Sequence, residues 1–202
     1  MYKLEETDEA NEAPGTAIVS LQDLDLRLVG LCGDLDEDKA AELMYAMIAL
    51  QSTSHRIDED RNPYYEPFEF IVSSAGGSAQ EMFGIYDLMR QIRETCPIRT
   101  VGLGKVFSAS TLLLAAGTKG ERCIGANCRV MIHSVIGGNH GSLHSLETEM
   151  DEIRWVQEQY IKALVAETDM TKRYINKLLS KKVNVYLNAE QAVEVGLADK
   201  II

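Results

Sequence analysis

Ser108 and His133 are the two side chains in this sequence whose types and settings best suit nucleophilic catalysis. Ser108 stands in the run FSASTLLLAAG, where an apolar helix is expected to begin. A serine there commonly serves as an N-cap. Its Oγ can also project from the helix start, with the Ala109 amide directed at the space where an oxyanion forms. His133 ends the apolar run VMI and precedes IGG, which puts it at an expected strand end, able to take a serine proton at a cleft. A strand-end histidine is more often structural than catalytic, so neither residue decides the matter alone. Gly76-Gly77 lies between an expected strand and an expected helix. Without a Cβ, such a pair lets backbone amides approach a ligand oxygen, or simply makes a tight turn. Gly102-Leu103-Gly104-Lys105 looks like part of a phosphate loop but lacks G-x-x-x-x-G-K-[ST], so nucleotide binding is not expected.

The elements that must position these residues can be read from the pattern. The run LRLVGLCG is a short apolar strand, after which Asp36 can cap a helix with Leu43, Met44, Met47 and Ile48 on its inward face. Residues 52–67 are polar, carry two prolines and read as a surface connection. FEFIVSS is a buried-strand candidate, followed by the AGGS turn and a helix that Ser78 and Glu81 can start as a capping box. That helix must stop before Pro97. Residues 98–103 form a third strand, Gly117 closes the apolar helix, and RVMIHSV supplies another strand. Leu146, Met150, Ile153, Val156, Tyr160 and Leu164 recur at helical spacing, predicting a helix of about 20 residues and roughly 30 Å. Asn188 can cap the last helix, with Gln191 at its third position and Gly196 ending it. Repeated strand–helix units imply an α/β fold with a largely parallel sheet.

Composition limits the partners. The 202 residues carry 20 Lys and Arg against 31 Asp and Glu, a net charge of −11, which disfavours nucleic acid and anionic lipid. The acidic start MYKLEETDEANEAPG has no basic flank or apolar run of a secretion signal, and no later stretch suits a membrane span. A cytoplasmic location, or an organelle stroma or matrix, is therefore expected. Cys32, Cys96, Cys123 and Cys128 lack C-x-x-C spacing, and the histidines form no H-E-x-x-H, so reduced thiols and no metal are expected. Residues 1–24 read as a mobile acidic segment and 25–202 as a single domain.

Several short patterns in order resemble the proteolytic subunit of the Clp proteases across about residues 25–202. The family's S-P-G-G-S turn corresponds to Ser74-Ala75-Gly76-Gly77-Ser78, followed by GIYDLMRQI. Its A-G-T-K-G is present as Ala116 to Gly120, at the interval that selects Ser108 over Ser110. Met131-Ile132-His133 matches its M-I-H, Gly137-Gly138 falls where the family has a glycine-rich strand, and AEQAVEVGLADKI fits its end. The resemblance implies a ClpP/crotonase-like fold of repeated β-β-α units with a protruding handle helix. It also implies a serine endopeptidase with Ser108 as nucleophile, His133 as base, and the Gly77 and Ala109 amides as oxyanion hole. Stacked seven-membered rings of such subunits, an ATP-driven Clp unfoldase and unfolded polypeptide substrates follow as partners, with ATP used only by the unfoldase and no cofactor in this chain.

The sequence departs from that pattern at four places. Counting back from Leu187-Asn188-Ala189 puts the family's catalytic aspartate at Asn184, giving Ser108, His133 and Asn184. An amide oxygen can orient histidine Nδ1 but adds no negative charge. Asp169 is a weaker substitute, placed by the resemblance in a link between helices. Ala75 replaces the family's proline, Ser134-Val135 replaces its Gln-Pro, and the 52–67 connection is longer than usual. A catalytically weak or inactive structural subunit of a Clp-type ring is the main alternative. A crotonase-like relative holding a thioester oxygen is a third.

Overall fold

The computed structural model describes residues 26–138, 140–180 and 184–202. The expected acidic segment 1–24 lies outside the described residues. In chain order the elements are β1 (Leu28–Leu35), α1 (Glu37–Ser52), β2 (His55–Ile57), β3 (Pro63–Tyr65), β4 (Phe68–Gly77), α2 (Ala79–Ile92), β5 (Ile98–Phe107) and α3 (Ala109–Ala115). They continue with β6 (Cys123–Ile124), β7 (Arg129–Ile132), α4 (Leu143–Glu167), α5 (Lys172–Leu179), β8 (Val185–Leu187), α6 (Ala189–Glu194) and β9 (Lys200–Ile201).

The sheet is mostly parallel, as strand–helix alternation requires. β1, β4 and β5 run side by side in parallel. β5 then serves two neighbours: Val101 and Gly102 pair with β6, and Lys105 to Phe107 pair with β7. β9 extends the sheet beyond β6, and β8 joins β7 antiparallel. The α/β class read from the sequence holds. Along β4 the side chains of Phe68, Phe70, Val72 and Ser74 are buried in alternation, because successive residues of a strand face opposite sides. α3 is buried on every face, its leucines and alanines within the core and the hydroxyls of Ser110 and Thr111 satisfied by main-chain carbonyls.

Two caps follow the sequence closely. Asp36 accepts from the Lys39 amide at 2.8 Å, and Asn188 with Gln191 makes both halves of a capping box. At α2 only half of the expected box exists. Ser78 Oγ accepts from the Glu81 amide, whereas the Ser78 amide donates to the Leu35 carbonyl at 2.9 Å and thereby ties β4 to β1. Ile48, expected inward, is exposed on α1. The 52–67 connection contains the hairpin of β2 and β3, whose turn is set by Asp58 accepting from the Asn62 amide at 2.7 Å. α4 is longer than expected because Ser142 caps it upstream of Leu146. Its outer half leaves Leu143, Leu146, Met150 and Trp155 exposed, while Val156, Tyr160 and Leu164 are buried. Among the described residues, no helix is long and apolar enough to cross a membrane.

A buried ionic network closes the domain. The Arg93 guanidinium donates to both oxygens of Glu167 at 2.7 Å and to the Ala116 carbonyl at 2.9 Å. Tyr86 Oη donates to Glu167 at 2.8 Å. Arg122 reaches the Glu167 carbonyl at 2.6 Å and binds Asp199 through two nitrogens at 2.9 and 2.6 Å. The turn after α3 is thus fastened to α2, to the end of α4 and to the approach to β9. Burial works to raise the pKa of Glu167, but the Arg93 and Tyr86 hydrogen bonds outweigh it and hold the carboxyl below its usual range. Burial also opposes ionisation of Asp199, yet hydrogen bonds from Arg122 and Gly120 bring it from 3.8 to about 2.

Two outcomes are expected. The Glu167 side chain is 2% exposed, so Glu167→Ala, which strands the Arg93 charge, lowers the unfolding free energy by about 3 kcal/mol in urea titration. Both carboxyls have depressed folded pKa values, so the folded chain binds fewer protons than the unfolded one. Their stabilisation is complete above their unfolded values and lost as pH falls through the folded ones. The urea midpoint is therefore flat near neutrality and drops from about pH 4 towards pH 2, with a smaller drop in Asp199→Asn.

Candidate active site

The parallel strands end together, and their carboxyl ends hold the candidate residues, where open α/β sheets place ligand sites. Gly76 and Gly77 end β4, Ser108 follows β5, and His133 follows β7. The cleft there measures about 440 Å³ and is lined by Gly77, Ser108, Ala109 and His133, with Met82, Ile153, Val156 and Tyr160 among its apolar walls.

Ser108 occupies a backbone conformation that L residues seldom adopt, with φ 56° and ψ −125°. Such a position costs on the order of 1–3 kcal/mol and persists only where the surroundings enforce it. Three hydrogen bonds do so. The Ser108 amide donates to the Met131 carbonyl at 2.8 Å, the Thr111 amide donates to the Ser108 carbonyl at 3.0 Å, and Tyr160 Oη donates to the same carbonyl at 3.3 Å. Although Ser108 is the residue before α3, its side chain makes no cap hydrogen bond. Its Oγ lies 2.8 Å from His133 Nε2 instead.

The second ring nitrogen settles the tautomer. His133 Nδ1 is 2.6 Å from the Ser134 carbonyl oxygen, and a carbonyl can only accept. Nδ1 therefore carries the proton in the neutral ring, leaving the Nε2 lone pair for the serine hydroxyl. The loop bearing that carbonyl is held by the Val135 amide donating to Gln157 of α4 at 2.7 Å, and by Gly137 packed against Ile153.

The glycine turn fits this arrangement sterically. A Cβ on Gly76, whose φ is 94°, would lie 2.7 Å from the Phe107 carbonyl oxygen and from Ser108 Cβ. One on Gly77 would lie 2.0 Å from the Leu35 carbonyl oxygen. The Gly76 amide donates to Ser74 Oγ at 3.0 Å, which fixes the turn from within. Ser110 points away, donating to the Phe107 and Ser74 carbonyls, so of the two neighbouring serines Ser108 is the one that meets the histidine.

Asn184 is exposed, and among the described residues no hydrogen bond joins it to His133, whose Nδ1 is engaged by Ser134. The preceding residues 181–183 lie outside the described residues. Asp169 sits beside Gly196, its amide donating to the Val195 carbonyl, and does not line the cleft. Gly102-Leu103-Gly104-Lys105 lies inside β5, where a Cβ on Gly102 would meet Leu114 and Val106, so it forms no phosphate loop. Sequence reading did not find Ser134, Tyr160 or Gln157. Ser134 acts through a main-chain atom that residue type does not reveal, and Tyr160 reads as one more apolar position of α4.

Gly76→Ala forces the turn against Ser108, and displacement of a reacting atom by about 1 Å can cost 100-fold. The expected outcome is a loss of Ser108 acylation by a fluorophosphonate of that order with the far-ultraviolet circular dichroism retained.

The family model described as Clp protease matches residues 16–202. The ATP-dependent Clp protease proteolytic subunit 1 of Tropheryma whipplei (strain Twist) is 31% identical over 178 residues, covering 87% of this chain and 80% of that protein. Proteolytic subunit 2 of Corynebacterium jeikeium (strain K411) is 30% identical over 176 residues, covering 87% and 78%. Proteolytic subunit 1 of Rhodopirellula baltica is 28% identical over 179 residues, covering 89% and 73%. The family match spans the whole sheet and every residue of the cleft, and on that ground the chain belongs to the Clp protease family.

Proposed function

We propose that this chain is a serine-type endopeptidase subunit in which Ser108 attacks the peptide carbonyl and His133 moves the proton. The observation that carries the reading is the chain of contacts from Ser108 Oγ to His133 Nε2 and from Nδ1 to the Ser134 carbonyl. Oγ bonds to the substrate carbonyl carbon as its proton passes to Nε2, and the carbonyl electrons become an oxyanion facing the Gly77 and Ala109 amides. The imidazolium then protonates the departing amine, leaving an acyl-serine. Water attacks the ester, His133 takes its proton, and the acid is released with Ser108 restored.

Among the described residues no carboxylate hydrogen-bonds to the ring, and the imidazolium is stabilised by the peptide dipole of Ser134. In trypsin, exchanging the triad aspartate for asparagine lowers turnover by about 10⁴ because the histidine is then held in the wrong tautomer. Here the Ser134 carbonyl holds the productive tautomer, which supports retained activity. Asn184, which the family pattern would place third, makes no hydrogen bond to His133 among the described residues.

The relatives are named as proteolytic subunits of an ATP-dependent protease, and the outer half of α4 exposes an apolar surface. These support assembly into stacked heptameric rings through that helix, with an ATP-driven unfoldase delivering unfolded polypeptide. This chain itself then needs neither ATP nor another cofactor, and it works in the cytoplasm or an organelle matrix.

A fluorophosphonate probe followed by peptide mapping tests the reading. Labelling at Ser108, absent in Ser108→Ala, is expected, and an assembled ring that takes no label would favour the structural-subunit alternative. Asn184→Ala should change kcat/KM by less than about threefold, since an exposed side chain with no hydrogen bond to the ring is being truncated. A rise of tenfold or more in Asn184→Asp would instead restore that residue to the third position.

A further inference from the structure

Three residues of α4 at steps of four and three, Ile153, Gln157 and Tyr160, share one face and grip the reacting pair from the same side. Ile153 packs against Gly137 in the loop after His133, and Tyr160 Oη donates to the Ser108 carbonyl at 3.3 Å. Gln157 sits half-buried between them, its Oε1 accepting from the Val135 amide at 2.7 Å. A main-chain N–H can only donate, so the oxygen of the Gln157 amide, and not its nitrogen, must face it.

That contact bears directly on the histidine. Val135 N–H and Ser134 C=O are the two polar ends of one planar peptide group and point in opposite directions. His133 Nδ1 meets the oxygen end at 2.6 Å, and Gln157 meets the nitrogen end. The Ser108 hydroxyl, the imidazole, the peptide and the Gln157 amide therefore form one hydrogen-bonded line. In such a line each bond polarises the next. An acceptor on the N–H makes the carbonyl oxygen more negative, and that oxygen faces the ring when the serine proton arrives on Nε2.

Orientation matters as much as polarisation. A peptide plane turns over by rotation about one dihedral on each side of it. Turned over, this one would offer the Val135 N–H to Nδ1. The neutral ring would then carry its proton on Nε2 and have no lone pair there for the serine hydroxyl. An acceptor held 2.7 Å from the Val135 nitrogen keeps the plane the productive way up.

We propose that Gln157 is a positioning residue for catalysis, acting through the Ser134–Val135 peptide to hold the Nδ1–H tautomer of His133 and to polarise the carbonyl that faces it. This rests on the peptidase reading above and adds a residue to that same site. No proton travels along the line. Nδ1 keeps its proton throughout, while the serine proton goes to Nε2 and on to the departing amine.

The test pairs hydrolysis of an uncharged coumarin peptide by the assembled full-length chain with solid-state spectra of its 15N-labelled histidine rings at mildly alkaline pH. The chain has four histidines, and the His133 signals are those lost in His133→Gln. Gln157→Leu removes the acceptor at similar volume, whereas Gln157→Glu keeps an acceptor oxygen. In the unmodified chain neutral His133 should show the Nδ1–H tautomer alone. In Gln157→Leu the Nε2–H tautomer should appear and kcat should fall about tenfold with KM unchanged, the worth of one well-formed hydrogen bond. Gln157→Glu should restore the tautomer and bring kcat to within about twofold of the unmodified chain. A Gln157→Leu variant with unchanged kcat, a fall in kcat without any change of tautomer, or a Gln157→Glu variant as impaired as Gln157→Leu overturns this inference and leaves the peptidase reading intact. No hydrolysis by the unmodified chain, together with no fluorophosphonate label on Ser108, overturns the peptidase reading and the catalytic role of Gln157 with it.

Discussion

The backbone of Ser108 is the constraint around which the rest of the domain is organised. At φ 56° a serine is not held by its own preferences, and the fold must hold it from several directions. β7 supplies the Met131 carbonyl for its amide, α4 supplies Tyr160 for its carbonyl, and the glycine turn leaves the space that its Cβ requires. Each of these contacts comes from an element distant in sequence, so the strained residue is a product of the complete sheet. The consequence for chemistry is that Ser108 Oγ is released from capping α3 and turned towards His133.

The ionic network at the opposite end of α3 complements this arrangement. α3 is short and wholly buried, with an apolar interior that gives it little directional preference. Arg93 and Arg122 bind the carbonyls of Ala116 and Ala115 at its C-terminus, and Glu167 and Asp199 neutralise the two cations. Buried ion pairs are weak sources of net stability but strong sources of position, because breaking them strands a charge. The helix carrying the Ala109 amide at one end is thus fixed in register at the other.

Much of this was legible in the chain. The alternating strand and helix segments, the Asp36 and Asn188 caps, and the pair Ser108 and His133 depend on local signals: spacing of apolar residues, short polar caps, glycines at turns. The family resemblance was carried by the same short runs. What was not legible depends on where distant segments meet. Counting from Leu187 points to Asn184 as the partner of Nδ1, whereas the contact that the fold makes there is with the main chain of Ser134 in the loop after His133. The half-made box at Ser78 has a similar cause, since the Leu35 carbonyl of a neighbouring strand takes the amide that Glu81 was expected to bind. Ile48 has helical periodicity but is left uncovered by the described elements.

Two amides beside the site, one next to the nucleophile and one in the loop after the histidine, differ in what holds them. That of Ser108 is bonded to Met131 within the sheet, whereas that of Val135 is bonded to a single side chain, Gln157. In hydrogen exchange the first amide can lose its protection only when β5 and β7 separate, a global opening, while the second needs only a rotamer change and a small movement of the loop. The Ser108–His133 distance and the orientation of the imidazole are therefore governed by two different free energies, and a fluctuation can misalign the base long before it exposes the nucleophile.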